Sequence, residues 1–147
     1  MNINHNTVAT LIPNDISQRD FLIGNPGWQG SNTFIKSKLT KQVGGFTDGL
    51  ISGNDRDFAI RILALKSVDI RYTHKATVDW ICNQYPDALS APGSKQKRRG
   101  SAQFLKLHGN KMSQQELEIY FQRANKFFSL SKNEIMKELK IIGGTNE

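Results

Sequence analysis

The last third of the chain specifies its helices from sequence alone. Ser113 and Glu116 stand in the Ser-x-x-Glu order of a capping box, in which the serine hydroxyl accepts a first-turn N–H and the glutamate reaches back to the serine N–H. Behind that start Leu117, Tyr120, Phe121, Ala124, Phe127 and Phe128 recur three and four residues apart, a continuous apolar stripe. Ser131 and Glu134 repeat the arrangement, followed by Ile135, Met136, Leu139 and Ile142. Met112 with Leu117, and Leu130 with Ile135, sit where hydrophobic staples belong. Residues 113–147 therefore read as a helical C-terminal extension.

The earlier chain is punctuated differently. Residues 1–20 are polar apart from Val8 to Ile12, which Pro13 stops, and read as a poorly structured lead-in. Phe21-Leu22-Ile23 and Thr33-Phe34-Ile35 are short apolar runs on either side of the turn-rich Gly24 to Asn32, so two strand pieces are expected around an ordered loop. Ser37 to Val43 can form a turn or two of helix ending at Gly44-Gly45. Phe58, Ala59, Ile62 and Leu65 put an apolar stripe on a helix from about Asp55 to Lys66, with Asp57 and Arg61 four apart on its polar side. Val68 to Tyr72 and Thr77 to Ile81 alternate apolar and polar residues at period two, as half-buried strands do. Asn83 to Gly100, with Pro86, Pro92 and Gly93, has no apolar period and reads as a long loop before a helix at Ser101 to Leu107.

At 147 residues, 37% of them hydrophobic, the chain can build one globular core. Twenty Lys and Arg against 13 Asp and Glu leave a net charge of +7, which attracts polyanions without choosing among nucleic acid, acidic lipid and nucleotide diphosphate. The single cysteine, Cys82, excludes an internal disulfide and a cysteine-built metal site, and suits a reducing compartment. No apolar run is long enough to span a bilayer, so the expected location is the cytoplasm, with contact at a membrane surface left open.

The order Trp28-Gln29-Gly30-Ser31-Asn32-Thr33-Phe34, then Val43-Gly44-Gly45-Phe46-Thr47-Asp48-Gly49-Leu50, then Asn54-Asp55-Arg56-Asp57 resembles the acceptor-side, C-terminal half of family-two glycosyltransferases of the GT-A type. The resemblance covers residues 21–128, with its strongest part between Gly24 and Ile62. It implies an α/β fold: a small mixed sheet with flanking helices over residues 21–112, followed by the helical extension. It also implies an inverting hexosyl transfer from a nucleotide sugar to a carbohydrate acceptor. Asp55 matches the family's catalytic base, and Asn54 stands where the family usually has Glu. A base is needed because a sugar hydroxyl is a poor nucleophile until a carboxylate within hydrogen-bond reach takes its proton. Taken alone, Asp55 is equally an acidic residue in a first helical turn, a common cap.

The same resemblance assigns acceptor contacts to Trp28, Gln29, Asn32 and Asn54, against which stands the alternative that Trp28 is core and Asn32 satisfies a turn. It assigns the donor diphosphate to a mobile basic loop bearing Lys95, Lys97, Arg98 and Arg99, which is otherwise a solvated charge run. Asp57 and Arg61 are expected to support Asp55 or simply pair, and His74 is a weak candidate metal ligand. His5 and His108 carry no pattern. A divalent cation, Mg or Mn, is implied only by the family, whose nucleotide-binding half with its Asp-x-Asp motif is missing from the chain. The expectation is accordingly a partial glycosyltransferase, inactive alone, that associates with a donor-binding half or with itself. The competing expectation from another class is a small basic module binding nucleic acid or a protein through Lys95 to Arg99.

Overall fold

The computed structural model describes residues 12–73, 75, 78 and 91–144. Both capping boxes form. At the start of α5 (Gln114–Phe128) the Ser113 N–H donates to Glu116 at 2.7 Å, and at the start of α6 (Lys132–Gly143) the Ser131 N–H donates to Glu134 at 2.8 Å. Leu130 and Ile135 are fully buried, and the left-handed Ser129 turns the chain between the two helices.

The remaining architecture corrects the expected α/β fold. Among the described residues all regular structure is helical, with no strand and no sheet. Phe21, Leu22 and Ile23, read above as a strand, close the short helix α1 (Gln18–Ile23). The reason is another reciprocal cap: the Ser17 N–H donates to the Asp20 carboxylate at 2.8 Å and starts a helix that the apolar run then continues. Thr33 to Ile35 belongs to no strand, and Phe34 lies wholly in solvent. Val68 to Tyr72 likewise forms no regular element, and alternation by itself makes no sheet. Its expected neighbour, Thr77 to Ile81, falls outside the described residues except for Val78, as does the strand expected before Pro13 apart from Ile12.

The helices after α1 are α2 (Ser37–Gln42), α3 (Asn54–Leu63) and α4 (Lys95–His108). The latter part of the expected loop is therefore helix: Ser94 caps α4 by accepting the Lys97 N–H at 3.1 Å, and residues 95–100 form its first turns. Helix α4 packs along α6, and α1 lies against α3 and α5. One core results, built on Phe21, Phe58, Ile60, Ile62, Phe104, Tyr120, Phe121, Leu130 and Ile135. Residues 113–144 add to this core, with the Tyr120 hydroxyl donating to Ser101 O on α4 at 3.0 Å. No helix among the described residues is long and apolar enough to cross a membrane.

Helix α4 and the turn before α3 approach each other closely at Gly100. A Cβ placed on Gly100 would stand 2.4 Å from Ser52 Cβ and 2.7 Å from Ser52 N. Gly100→Ala should therefore cost roughly 1–3 kcal/mol in chemical unfolding, as overpacking does. Gly109→Ala, whose new methyl would meet only ordinary contacts at 3.9 Å, should be close to neutral.

Candidate functional site

Asp55 is in the first turn of α3, entered through Gly53 in the left-handed conformation. Its carboxylate lines a cleft of about 220 Å³ together with Trp28, Gly30, Thr33, Phe46 and Phe58. The loop from Gly24 to Asn32 brings the tryptophan there. Asn25 Nδ2 donates to Trp28 O at 2.7 Å, Asn32 Oδ1 accepts from Gln29 N at 2.8 Å, and Asn32 Nδ2 donates to Gly27 O at 2.7 Å. Trp28 is 7% exposed and packs edge-on against Phe21, ring centres 5.4 Å apart. Phe46 stacks on Phe58 at 4.6 Å and forms the opposite wall. Gly30 approaches closely enough that a Cβ would stand 3.5 Å from Asp55 Oδ1, so its lack of a side chain leaves the carboxylate open on that side.

Asp57, two residues after Asp55 on α3, centres a buried polar network. Asp57 is 2% exposed, and every donor it receives comes from a different part of the site. Its Oδ1 meets His108 Nε2 at 2.8 Å; its Oδ2 accepts from Thr47 Oγ1 at 2.7 Å and from Arg61 Nε at 3.1 Å and Nη2 at 2.7 Å. Arg61 Nη1 continues to Val43 O at 2.6 Å and Gly45 O at 2.7 Å, satisfying carbonyls at the end of α2. Burial by itself would raise the Asp57 pKa, but the hydrogen bonds from Arg61, Thr47 and His108 outweigh it and hold the carboxyl below its ordinary value. Burial lowers the His108 pKa, against the pull of Asp57. An ionised Asp57 can only accept, so Nε2 carries the imidazole proton and Nδ1 is left to accept from Lys111 Nζ at 3.3 Å.

The sequence-derived candidates divide accordingly. Asp55 and Trp28 share the cleft, whereas Gln29 does not line it and the Asn32 amide is spent on the turn. Asn54 lies outside the lining too, with Oδ1 buried and lacking a hydrogen-bond partner among the described residues. Asp57 and Arg61 pair as their spacing suggested, but on a buried face rather than a polar one, because α3 is covered at Phe58, Ala59, Ile60 and Ile62 as well. The four basic residues of α4 part company. Lys97 points inward, 2.9 Å from Ser52 Oγ and over the Phe128 ring, where burial and then Arg56 push its amine down to about 8. Arg98 faces Glu134 and Glu138 at 3.8 and 3.6 Å, and Lys95 and Arg99 remain exposed. None of the four lines the cleft. His74 lies outside the described residues. Among the described residues no three His, Cys, Asp or Glu side chains converge to hold a metal ion.

Three residues of the site carried no readable role: His108, Lys111 and Arg56. Arg56 sits within the Asn54 to Asp57 motif but turns away from the cleft, donating to Phe21 O at 2.8 Å and Leu22 O at 2.7 Å while its guanidinium lies 4.0 Å over the Phe104 ring. Burial pushes it down to about 10. Its sequence signal is faint, one cation among the acidic residues of the first turn of α3.

The chain matches no protein-family model, no curated protein and no solved structure.

Removing the carboxylate of Asp57 strands Arg61 and His108 in the interior, so Asp57→Ala should lose about 3–5 kcal/mol, the scale of a broken buried pair, in urea unfolding. Acid should weaken the wild type. His108 has a folded pKa below its ordinary 6.5, so it binds its proton more weakly folded than unfolded, and stability present above pH 6.5 is lost as pH falls through the folded value. Asp57 follows the same sign below its ordinary 3.8. Melting temperatures measured downward from neutral pH should decline in that order, and His108→Gln should remove the first decline.

Proposed function

We propose that this chain supplies the acceptor site of an inverting glycosyl transfer, with Asp55 as the general base that takes the proton of an acceptor hydroxyl. The observation that carries the reading is the meeting of Asp55 with Trp28, Phe46 and Phe58 in one cleft. A carboxylate can accept from a hydroxyl, while aromatic walls offer packing for the apolar face of a sugar ring. At about 220 Å³ the cleft is smaller than the roughly 300–1,000 Å³ typical of pockets for drug-sized ligands, which suits a single sugar ring better than a nucleotide sugar. The nucleotide sugar, and any divalent cation held with it, would then be bound by a separate donor-binding half. Cys82 as the only cysteine supports a cytoplasmic setting. The alternative of a basic module acting through Lys95 to Arg99 has less support, since Lys97 and Arg98 are turned to internal partners.

Saturation-transfer NMR of the intact chain against a panel of neutral mono- and oligosaccharides should detect contact at the cleft. Gly30→Val, an exposed position that would fill the space beside Asp55, should abolish the contact without unfolding the chain. When a donor-binding half is supplied, Asp55→Asn should lower the transfer rate by about 10²–10⁴. Saccharide contact that survives Gly30→Val, or transfer unchanged by Asp55→Asn, would remove the cleft from the reaction.

A further inference from the structure

The segment from Thr33 to Phe46 has an inner and an outer side. Thr33, Ile35 and Thr40 turn into the Asp55 cleft, and Phe34, between the first two, is 100% exposed. Phe46, at the cleft's other wall, is 54% exposed. A phenylalanine with its whole ring in water is stabilised by nothing in the fold, and its neighbours on the outer side are cationic. Lys36, Lys38 and Lys41 are all exposed, and none makes an ion pair among the described residues. On α2, Leu39 and Val43 face the core, which leaves Lys38 and Lys41 on the outward side. From Phe21 through Thr47 the chain has no Asp or Glu, the first acid beyond being Asp48.

We infer that this outer side docks on an anionic lipid surface, with Phe34 entering the headgroup layer and Lys36, Lys38 and Lys41 facing the lipid phosphates. An apolar side chain among unpaired lysines is the composition by which proteins lie on such surfaces. Charge complementarity favours anionic over neutral lipid: near an acidic leaflet each lysine contributes ~1 kcal/mol, so three amount to about a hundredfold in partition. A nucleic acid would also attract the lysines, but it leaves the isolated Phe34 without the row of stacking partners that single strands use. Docking in this pose holds the mouth of the Asp55 cleft beside the membrane, and the acceptor is then a hydroxyl on a membrane-borne glycan. That last step rests on the acceptor-site reading above; the docking does not.

Flotation of the whole chain with vesicles tests the inference. Mixed phosphatidylserine and phosphatidylcholine vesicles should retain the chain, pure phosphatidylcholine vesicles should not, and added salt should weaken retention. The Lys36→Glu, Lys38→Glu, Lys41→Glu triple variant should bind at least a hundredfold more weakly, and Phe34→Ser several-fold more weakly, with both variants folded because the positions are exposed. Asp55→Asn should float like the wild type, which separates docking from the acceptor chemistry. Equal retention on both vesicle types, or retention unmoved by the triple and Phe34→Ser variants, would overturn the docking surface. So would binding of a mixed-sequence RNA in preference to the acidic vesicles.

Discussion

A carboxylate with almost no surface left to water has to be matched by donors, and Asp57 is matched by three side chains. Thr47 reaches it from the turn after Gly45, Arg61 from the next turn of α3, and His108 from the far end of α4, itself steadied by Lys111. A buried ion pair contributes little net stability compared with an apolar replacement, because desolvation offsets most of the attraction. What it does is fix geometry. Thr47 and His108 bond to Asp57 directly, and Arg61 bonds both to it and to the Val43 and Gly45 carbonyls, so the end of α2, the turn at Thr47 and the last turn of α4 are held at set distances from α3. Asp55, two residues before Asp57 on that helix, and Phe46, one residue before Thr47, take their places in the cleft from the same constraint.

Buried cations are handled by a different means. Arg56 and Lys97 have no carboxylate within ion-pair distance among the described residues, and each instead uses neutral acceptors and an aromatic face: the Phe21 and Leu22 carbonyls with the Phe104 ring for Arg56, Ser52 with the Phe128 ring for Lys97. The carbonyls at the end of α1 are the negative pole of that helix, which favours a guanidinium there. These contacts join α1 to α3 and the Ser52 turn to α4. The lowered pKa values of both groups reflect the incomplete compensation.

Sequence was most informative where a local rule sufficed. The Ser113 and Ser131 boxes need only residues three apart, and both helices begin where those residues place them. The same signature was present at Ser17 and Asp20, yet the apolar Phe21-Leu22-Ile23 behind it suggested a strand, since a three-residue run has no period of its own. Val68 to Tyr72 shows the complementary difficulty: alternation fits a strand only if another strand exists to pair with it. For the site, the spacing of Asp57 and Arg61 was legible, but the partners that make the pair matter were not. His108 lies 51 residues from Asp57, and no spacing rule reaches that far. The convergence of Trp28 with Asp55 was suggested by the family resemblance, and the cleft between them depends on tertiary contacts that single positions do not encode.

The dependence of the site on Asp57 is most directly tested by the side-chain nitrogen resonances of His108, followed by NMR as pH is lowered. The predicted result is a neutral ring protonated on Nε2 that begins to take up its second proton only below the ordinary 6.5, with a titration that moves lower still in Asp57→Asn, because burial depresses it while the carboxylate pulls it up. A ring that exchanges freely between tautomers in the wild type, or a titration that Asp57→Asn leaves in place or moves upward, would show that Asp57 does not hold it, and would contradict the account of how the cleft is assembled.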